Sequence, residues 1–177
     1  MLSISGHELL FHLHPEPGSG VPLLAAAVVK LPTRTGAVRS AALAVRFQAQ
    51  QIPGYEISFQ LWPIDGRGDS GSSIQFPAGR LDGPIHFVIT RPGLGEEVGG
   101  SAQRFRGWHT ALTEWTQGSA RFFLDGRQVG LVTSGVPARP MNWVLEVDGV
   151  PRSAARPGSG IIRVAWVSAY VPAPRGT

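Results

Sequence analysis

The 177-residue sequence contains no cysteine, and this absence excludes a disulfide framework and any metal site built from thiolates. It leaves the compartment open, because many exported proteins also lack cysteine. The sequence also has no apolar run long enough to cross a membrane. Residues 21–31 are the best candidate for a targeting segment, but they lie far into the chain and lack a basic start and a small-residue cleavage site. We therefore expect no membrane insertion, and no export signal is visible.

Lysine is almost absent, since fifteen of the sixteen basic residues are arginine and Lys30 is the exception. The net charge of +4 and the pI of about 10.6 are values that can accompany nucleic acid binding. The arginines are scattered singly from Arg34 to Arg175, however, so no basic cluster is available to follow a phosphate backbone. Abundant alanine, glycine and proline are typical of a GC-rich genome. This bias explains the basicity without a nucleic acid partner.

Long helical segments are also lacking, because twenty-three glycines and fifteen prolines interrupt the chain. Residues 25–29 favour a helix on propensity alone. Short apolar or alternating runs between glycine and proline instead predict an all-β sandwich or barrel. The predicted strands are residues 8–13, 23–30, 41–49, 55–62, 85–90, 108–115, 120–124, 128–133, 142–147 and 161–170.

The whole chain, residues 1–177, is predicted to form a single domain, which is long enough to bury a substantial core. Glycine-rich stretches at 65–73, 92–101 and 153–160 are interpreted as surface loops within that domain. Asp125-Gly126 lies between apolar runs and predicts a two-residue hairpin turn, because these residue types readily adopt the positive φ angles that such a turn requires.

Alternation along two segments, 55–62 and 141–148, separates an apolar face from a polar one. The apolar set, expected in the core, comprises Tyr55, Ile57, Phe59, Leu61, Met141, Trp143, Leu145 and Val147. The opposite set comprises Glu56, Ser58, Gln60, Trp62, Asn142, Val144, Glu146 and Asp148. An aromatic ring among amides and carboxylates is typical of a cleft that stacks on a pyranose and bonds its hydroxyls. A strand that simply faces solvent would show the same alternation, so both interpretations remain open.

Five segments carry a family resemblance. They are Trp62-Pro63, Gly-Trp-His-Thr at 107–110, Glu-Trp-Thr at 114–116, Phe-Phe-Leu-Asp-Gly at 122–126 and Pro-Met-Asn-Trp-Val-Leu-Glu at 140–146. In that order they resemble the family 16 glycoside hydrolases, the group of laminarinases and lichenases, and most closely its actinobacterial members. The resemblance covers residues 38–172. It implies a concanavalin-like jelly-roll sandwich of two antiparallel sheets, with substrate along the concave one.

The catalytic signature of that family is Glu-x-Asp-x-x-Glu on one strand, where the first glutamate is the nucleophile and the last is the general acid/base. Aligned with residues 72–79, the actinobacterial form of the motif retains isoleucine, phenylalanine, proline and glycine. Its three acids are replaced by Ser73, Gln75 and Ala78. A retaining mechanism needs two carboxyl groups about 5 Å apart, and none of these three residues supplies one. The resemblance therefore implies a pseudoenzyme without catalytic residues.

A sugar-binding role for the former cleft would use Trp62 as the stacking platform, with polar contacts from Gln60, Gln75, His86, Glu146 and Asp148. The two acids have other readings, since Glu146 and Asp148 can equally accept bonds from arginine or face water. His7, His12 and His14 lack a further ligand at suitable spacing, so no metal and no cofactor are predicted. His109 is interpreted as structural. The remaining tryptophans, expected in the core, are Trp108, Trp115, Trp143 and Trp166.

About 35 residues precede the part that resembles the family, fewer than the family normally has there. The sandwich is therefore expected to lack or replace edge strands and part of the cleft wall, and an unprotected edge favours assembly with another chain.

Three functional hypotheses follow, in decreasing order of preference. The first is a non-catalytic module that binds a cell-surface or polymeric glycan. The second is a structural or adhesion component of a homo-oligomer or larger assembly, such as a bacteriophage virion or tail. The third is an active glycoside hydrolase with relocated acids. Localisation is unknown, with an extracellular surface or a virion favoured.

Overall fold

The computed structural model of the protein describes residues 1–63, 72–150 and 156–172. Within these residues no helix is present that is long and apolar enough to cross a membrane. The regular elements of the described part are thirteen strands: β1 (Leu2–Ser5), β2 (Glu8–Leu13), β3 (Ala25–Val29), β4 (Ala41–Ala49), β5 (Tyr55–Pro63), β6 (Ser73–Arg80), β7 (Pro84–Arg91), β8 (Gly95–Arg104), β9 (Gly107–Trp115), β10 (Ala120–Leu124), β11 (Arg127–Val132), β12 (Met141–Gly149) and β13 (Gly160–Tyr170).

The strands form two antiparallel sheets whose inner faces share one hydrophobic core. The seven-stranded sheet has the order β1-β2-β13-β4-β9-β10-β11, and the six-stranded sheet has the order β3-β12-β5-β6-β7-β8. Strands far apart in sequence, such as β2 and β13 or β3 and β12, are hydrogen-bonded neighbours. The predicted fold class, an all-β jelly-roll sandwich of two antiparallel sheets, is confirmed.

The ten strands predicted from hydrophobic pattern are all present, with ends shifted by two residues or fewer. Residues 25–29 form β3 rather than a helix, because they pair with β12. The loop predicted at 92–101 is wrong, since residues from Gly95 onward form β8 against β7. The loop predicted at 65–73 lies largely outside the described residues, although Ser73 begins β6. Of the loop predicted at 153–160, residues 156–159 belong to no strand and Gly160 begins β13.

The alternation predicted for β5 and β12 is confirmed, since the eight residues assigned to the core on these two strands are at most 3% exposed. They pack against aromatic side chains of the other sheet. Phe59 of β5 meets Phe47 of β4 edge-on, with ring centroids 6.0 Å apart. Such T-shaped contacts are a preferred aromatic geometry and contribute beyond the area that they bury. The six-stranded sheet thus has a fixed inner face, and its polar residues are directed outward.

Of the four tryptophans predicted to lie in the core, two are buried there and two are not. Trp115 and Trp143 are buried, at 1% and 3% exposed. The prediction that Trp108 and Trp166 lie in the core is wrong, because both lie on the outer face of the seven-stranded sheet. Trp108 is half-buried opposite Gln48, and Trp166 is 45% exposed.

The hairpin predicted at Asp125-Gly126 joins β10 to β11, with φ angles of 50° and 79° at the two residues. The Asp125 carboxylate is bonded on both sides: Oδ1 accepts from the Thr110 amide at 2.8 Å, and Oδ2 lies 2.8 Å from His109 Nδ1. His109 is 8% exposed, and its Nε2 lies 3.0 Å from the Arg104 carbonyl. The histidine therefore fastens the hairpin to the start of β9, a structural role.

The first 35 residues supply three strands on two different sheets. β1 and β2 extend the seven-stranded sheet beside β13, whereas β3 forms one edge of the six-stranded sheet beside β12. The other edge of the six-stranded sheet is β8. The short N-terminal segment thus provides an edge strand to each sheet.

Candidate functional site

The outer face of the six-stranded sheet brings together the residues predicted for a sugar site, and we call it the candidate face. Residues directly opposite on neighbouring strands point to the same side of a sheet. One row across β12, β5, β6 and β7 runs Glu146, Ser58, Ala78 and His86. The next row runs Val144, Gln60, Gln75 and Val88. The predicted contacts therefore share one surface.

A β-bulge in β6 sets the geometry of residues 73–78, the segment predicted to replace the catalytic motif. Ser58 lies opposite Ala78 and Gln60 lies opposite Gln75, so two residues of β6 face a single residue of β5 between these pairs. The extra residue lies in the Phe76-Pro77 step, a cis peptide bond. Without it, Gln75 and Ala78 would point to opposite sides, because alternation has period two. The bulge places positions 73, 75 and 78 on the candidate face.

Ser73 and Gln75, two of the three residues predicted to replace the family's acids, belong to a chain of side-chain hydrogen bonds. Ser58 Oγ donates to Gln75 Oε1 at 3.1 Å, and Gln75 Nε2 donates to Ser73 Oγ at 3.1 Å. Ser73 Oγ donates to Thr90 Oγ1 at 3.2 Å, and Thr90 Oγ1 donates to Glu96 Oε1 at 3.3 Å. This chain of bonds crosses four strands from β5 to β8. It fixes the Gln75 amide at the centre of the face through both of its polar atoms.

Glu146 is held by a neighbour across the sheet. The Gln60 amide is 6% exposed, and its Nε2 donates to Glu146 Oε2. Partial burial of the Glu146 carboxyl raises its pKa, the charge of Asp148 raises it further, and the Gln60 bond opposes both. Gln60 thus acts first as a support for Glu146, so this predicted contact, like Gln75, is engaged within the protein.

Two further carboxyl groups lie beside Glu146. Glu56 of β5 lies directly opposite Asp148 of β12. Burial raises the pKa of Asp148, and burial followed by the Asp148 charge raises that of Glu56, while Arg80 partly offsets the latter. Three carboxyl groups on two adjacent strands therefore form an acidic end of the candidate face. Glu56 was not predicted as a site residue, and its pairing with Asp148 follows only from the strand register.

These raised pKa values predict that the protein gains stability as the pH falls. A carboxyl with a raised pKa binds its proton more tightly in the folded state, so the free energy of unfolding falls as pH rises through the window above the ordinary carboxyl range. We expect urea denaturation to show higher stability at about pH 5 than at pH 7, and Asp148→Asn to flatten that slope. Asp82→Asn is the matched control. The Asp82 pKa is lowered by its bond to Arg80, so its contribution changes below the ordinary carboxyl range and this variant should leave the slope between about pH 5 and pH 7 nearly unchanged. A slope unchanged by Asp148→Asn would contradict the assignment.

Trp62 lies at the other end of the candidate face. Its side chain is 39% exposed, whereas Trp143, which lies opposite Leu61 on the adjacent strand, is 3% exposed and points into the core. This difference confirms the predicted orientations. Asn142 lies directly opposite Trp62 and is half-buried. The face therefore combines an accessible indole, a neutral network and an acidic end.

His86 lies on the candidate face opposite Ala78 and is half-buried. In the part of the chain that the structure describes, its ring makes no hydrogen bond. Among the same described residues, no group of three or more histidine or acidic side chains is arranged to hold a metal ion. His12 instead bonds Ser3 at 2.8 Å, and His14 bonds the Pro15 carbonyl at 3.2 Å.

Comparison with known proteins shows strong similarity in fold and little similarity in sequence. No family model and no curated protein matches the chain. Among solved structures, the Bacillus licheniformis β-glucanase is similar with a TM-score of 0.75 at 16% identity, over 97% of this chain and 82% of that one. A β-1,3-1,4-glucanase (lichenase) from a mouse hindgut metagenome has a TM-score of 0.73 at 19% identity, over 97% and 83%. β-agarase A in complex with oligoagarose has a TM-score of 0.69 at 12% identity, over 98% and 76%.

These similarities establish a concanavalin-like jelly roll of the kind found in family 16 glucanases. The match extends over nearly the whole chain, beyond residues 38–172 that carry the sequence resemblance. At such low identity the comparison concerns the fold alone.

Proposed function

We propose that the protein is a non-catalytic module that binds a glycan along the candidate face. The observation that carries this proposal is the combination of an exposed Trp62 with a neutral hydrogen-bonded network at Ser73 and Gln75, beside the uncharged Ala78. A saccharide ring can stack on the indole while its hydroxyls bond amides and carboxylates. The solved structures with this fold include a glucanase, a lichenase and an agarase, which supports a polysaccharide as the ligand class.

The chemistry of the face supports binding rather than cleavage. Ser73 and Ala78 stand where a retaining enzyme of this fold would hold its nucleophile and its acid/base, and neither can ionise usefully. Gln75 bonds Ser58 and Ser73 instead of a carboxyl group. The three carboxyl groups of β5 and β12 lie at the acidic end of the face, whereas its other ionisable groups include Arg80 of β6, His86 of β7 and Glu96 of β8. Glu146 and Asp148 are two residues apart on one strand, so this pair cannot flank a glycosidic bond from opposite sides.

Trp62→Ala tests the proposal. We expect the variant to bind a neutral β-glucan about tenfold more weakly than wild type, because an aromatic platform is worth roughly 1.4 kcal/mol, a factor of ten in affinity. Affinity electrophoresis in gels that contain the polysaccharide, followed by calorimetry with oligosaccharides, measures the difference. The matched control is Tyr170→Ala, because Tyr170 is 70% exposed but lies on the opposite sheet. Equal losses in both variants, or none in either, would contradict a site at Trp62.

Assembly with another chain is the second candidate function, and the open edge of β3 favours it. Its five residues are all alanine or valine, and Val28 is 69% exposed. Within the described residues, the outer side of β3 makes no backbone bond with another segment. An uncharged, uncovered edge is a template for pairing. A wild-type protein that binds no polysaccharide would favour this candidate over the first, and the virion or tail setting stays a prediction.

A further inference from the structure

A cavity of about 500 Å³ opens on the outer face of the seven-stranded sheet, on the opposite side of the sandwich from the candidate face. It lies between the β1–β2 hairpin and strands β13 and β4. Its volume is within the range of small-ligand sites. The residues that line it are Ser5, Gly6, Glu8, Leu10, Gln48, Gln50, Ile161 and Arg163.

The charges of this cavity neutralise each other and are held in place. Arg163 Nε lies 2.7 Å from Glu8 Oε2, and the Glu8 side chain is only 19% exposed. The Arg163 guanidinium also lies 5.5 Å from the centre of the Trp108 ring. A cation fixed by a carboxylate and an indole is a poor receptor for an anionic ligand, because its charge is already balanced. The wall is therefore ordered and close to neutral.

Several polar groups of the cavity remain open to a ligand. Within the described residues, the Gln48 amide and the Ser5 hydroxyl make no hydrogen bond. Gln50 Oε1 accepts from the Ile161 amide at 2.9 Å, which leaves the Gln50 NH₂ group as a donor. Donors and acceptors thus stand beside the apolar side chains of Leu10 and Ile161. A ring of alternating hydroxyls and C–H groups matches this mixture.

We propose that this cavity is a second saccharide site, which takes a short run of uncharged sugar residues. Amides and a hydroxyl meet the sugar hydroxyls, aliphatic side chains meet the ring, and the Glu8–Arg163 pair forms one wall. The site is independent of Trp62, because the two lie on outer faces of different sheets. A domain with a site on each side holds two polysaccharide chains at once, which raises avidity for a polymer without any added contact.

The experiment uses neutral tetrasaccharides from β-1,3-glucan, mixed-linked β-glucan and agarose, with an oligouronate as the charged arm. Tryptophan indole N–H signals in NMR report each side separately, since Trp108 lies opposite Gln48 and beside Arg163 of the cavity wall and Trp62 lies on the candidate face. We expect a neutral tetrasaccharide to shift both indoles and calorimetry to give two sites. Gln48→Leu should remove the Trp108 response and weaken that site about tenfold or more. Gln128→Leu is the matched control, because Gln128 is exposed on the distant edge strand β11.

The outcomes separate this proposal from the proposed function. If Trp62→Ala loses all binding and Gln48→Leu binds as well as wild type, the second site is overturned and the candidate face stands. If Gln48→Leu loses all binding and Trp62→Ala binds as well as wild type, the candidate face is overturned and the cavity is supported as the saccharide site. A Trp108 response to the oligouronate alone would overturn the uncharged ligand class. Absence of any Trp108 response would overturn the cavity as a saccharide site.

Discussion

The purified protein is expected to release no reducing sugar from β-1,3- or β-1,4-linked glucans. A retaining hydrolase needs two carboxyl groups about 5 Å apart, one as nucleophile and one as acid/base. Positions 73 and 78 share the candidate face and hold serine and alanine instead. Glycosidases accelerate their reactions by at least about a millionfold, so a missing carboxyl pair removes essentially the whole rate.

A reducing-sugar assay over a long incubation checks this expectation, with the Bacillus licheniformis β-glucanase as the positive control. Release above the no-protein background would point to relocated acids. Glu56→Gln and Asp148→Asn would then identify them, because these two carboxyls face each other across β5 and β12. Activity that either substitution abolishes would contradict the non-catalytic proposal. Activity that survives both, and is lost on altering Ser73 or Gln75, would contradict the reading of the degenerate motif.

Most of the strands can be predicted from the local sequence, because a strand with one buried face alternates between apolar and polar residues. β5 and β12 are predicted residue by residue for this reason. β8 is missed because of its glycines, which reflect packing rather than a loop. A Cβ at Gly99 would lie 2.5 Å from the Phe87 ring, and that ring stacks on Phe122 with centroids 4.3 Å apart. The packed Phe87 ring leaves no room for a side chain at position 99, so glycine is required there, and in the sequence this glycine resembles a turn residue.

Trp108 and Trp166 were predicted in the core and lie on the outer face, for two different reasons. Strand alternation could have corrected the prediction for Trp108 but not the one for Trp166. Trp108 and Trp115 are seven positions apart on β9, so an unbroken strand cannot direct both inward. The buried Trp115 therefore implied an outward Trp108. Trp166 follows a bulge in β13 after Val164, which changes the side to which later residues point. No local signal marks that bulge.

The sequence predicts which side chains of the candidate site point outward, but it does not predict which of them contact each other across neighbouring strands. The outward Trp62 follows from alternation within a single strand. The bond from Gln60 to Glu146 and the opposition of Glu56 and Asp148 depend on the register of β5 against β12. Register is a property of two distant segments, so a single sequence constrains it weakly. For the same reason the cavity beside Arg163, which joins residues from both ends of the chain, left no recognisable motif.

Replacing both Ser73 and Ala78 with glutamate is expected to place two carboxyl groups on one face, about 5 Å apart, and to destabilise the protein strongly at neutral pH. The native side chains are 4% and 2% exposed, so two like charges would lose most of their solvation there. His86, opposite position 78, is the nearest ionisable group on β7. We expect the free energy of unfolding to fall by about 3 kcal/mol or more at pH 7.

The loss should be smaller at about pH 5, because burial raises the carboxyl pKa values and protonation then removes the repulsion. Urea denaturation at both pH values measures it, and a crystal structure of the variant gives the carboxyl separation. The matched control is Ser73→Gln with Ala78→Gln, which adds nearly the same volume without charge, so the difference between the variants isolates the electrostatic part. Equal losses in the two variants at pH 7 would contradict the charge argument. Side chains at 73 and 78 directed to opposite sides of β6 would overturn the alignment of this segment with the catalytic motif, and with it the case for a glycan-binding face derived from an active site.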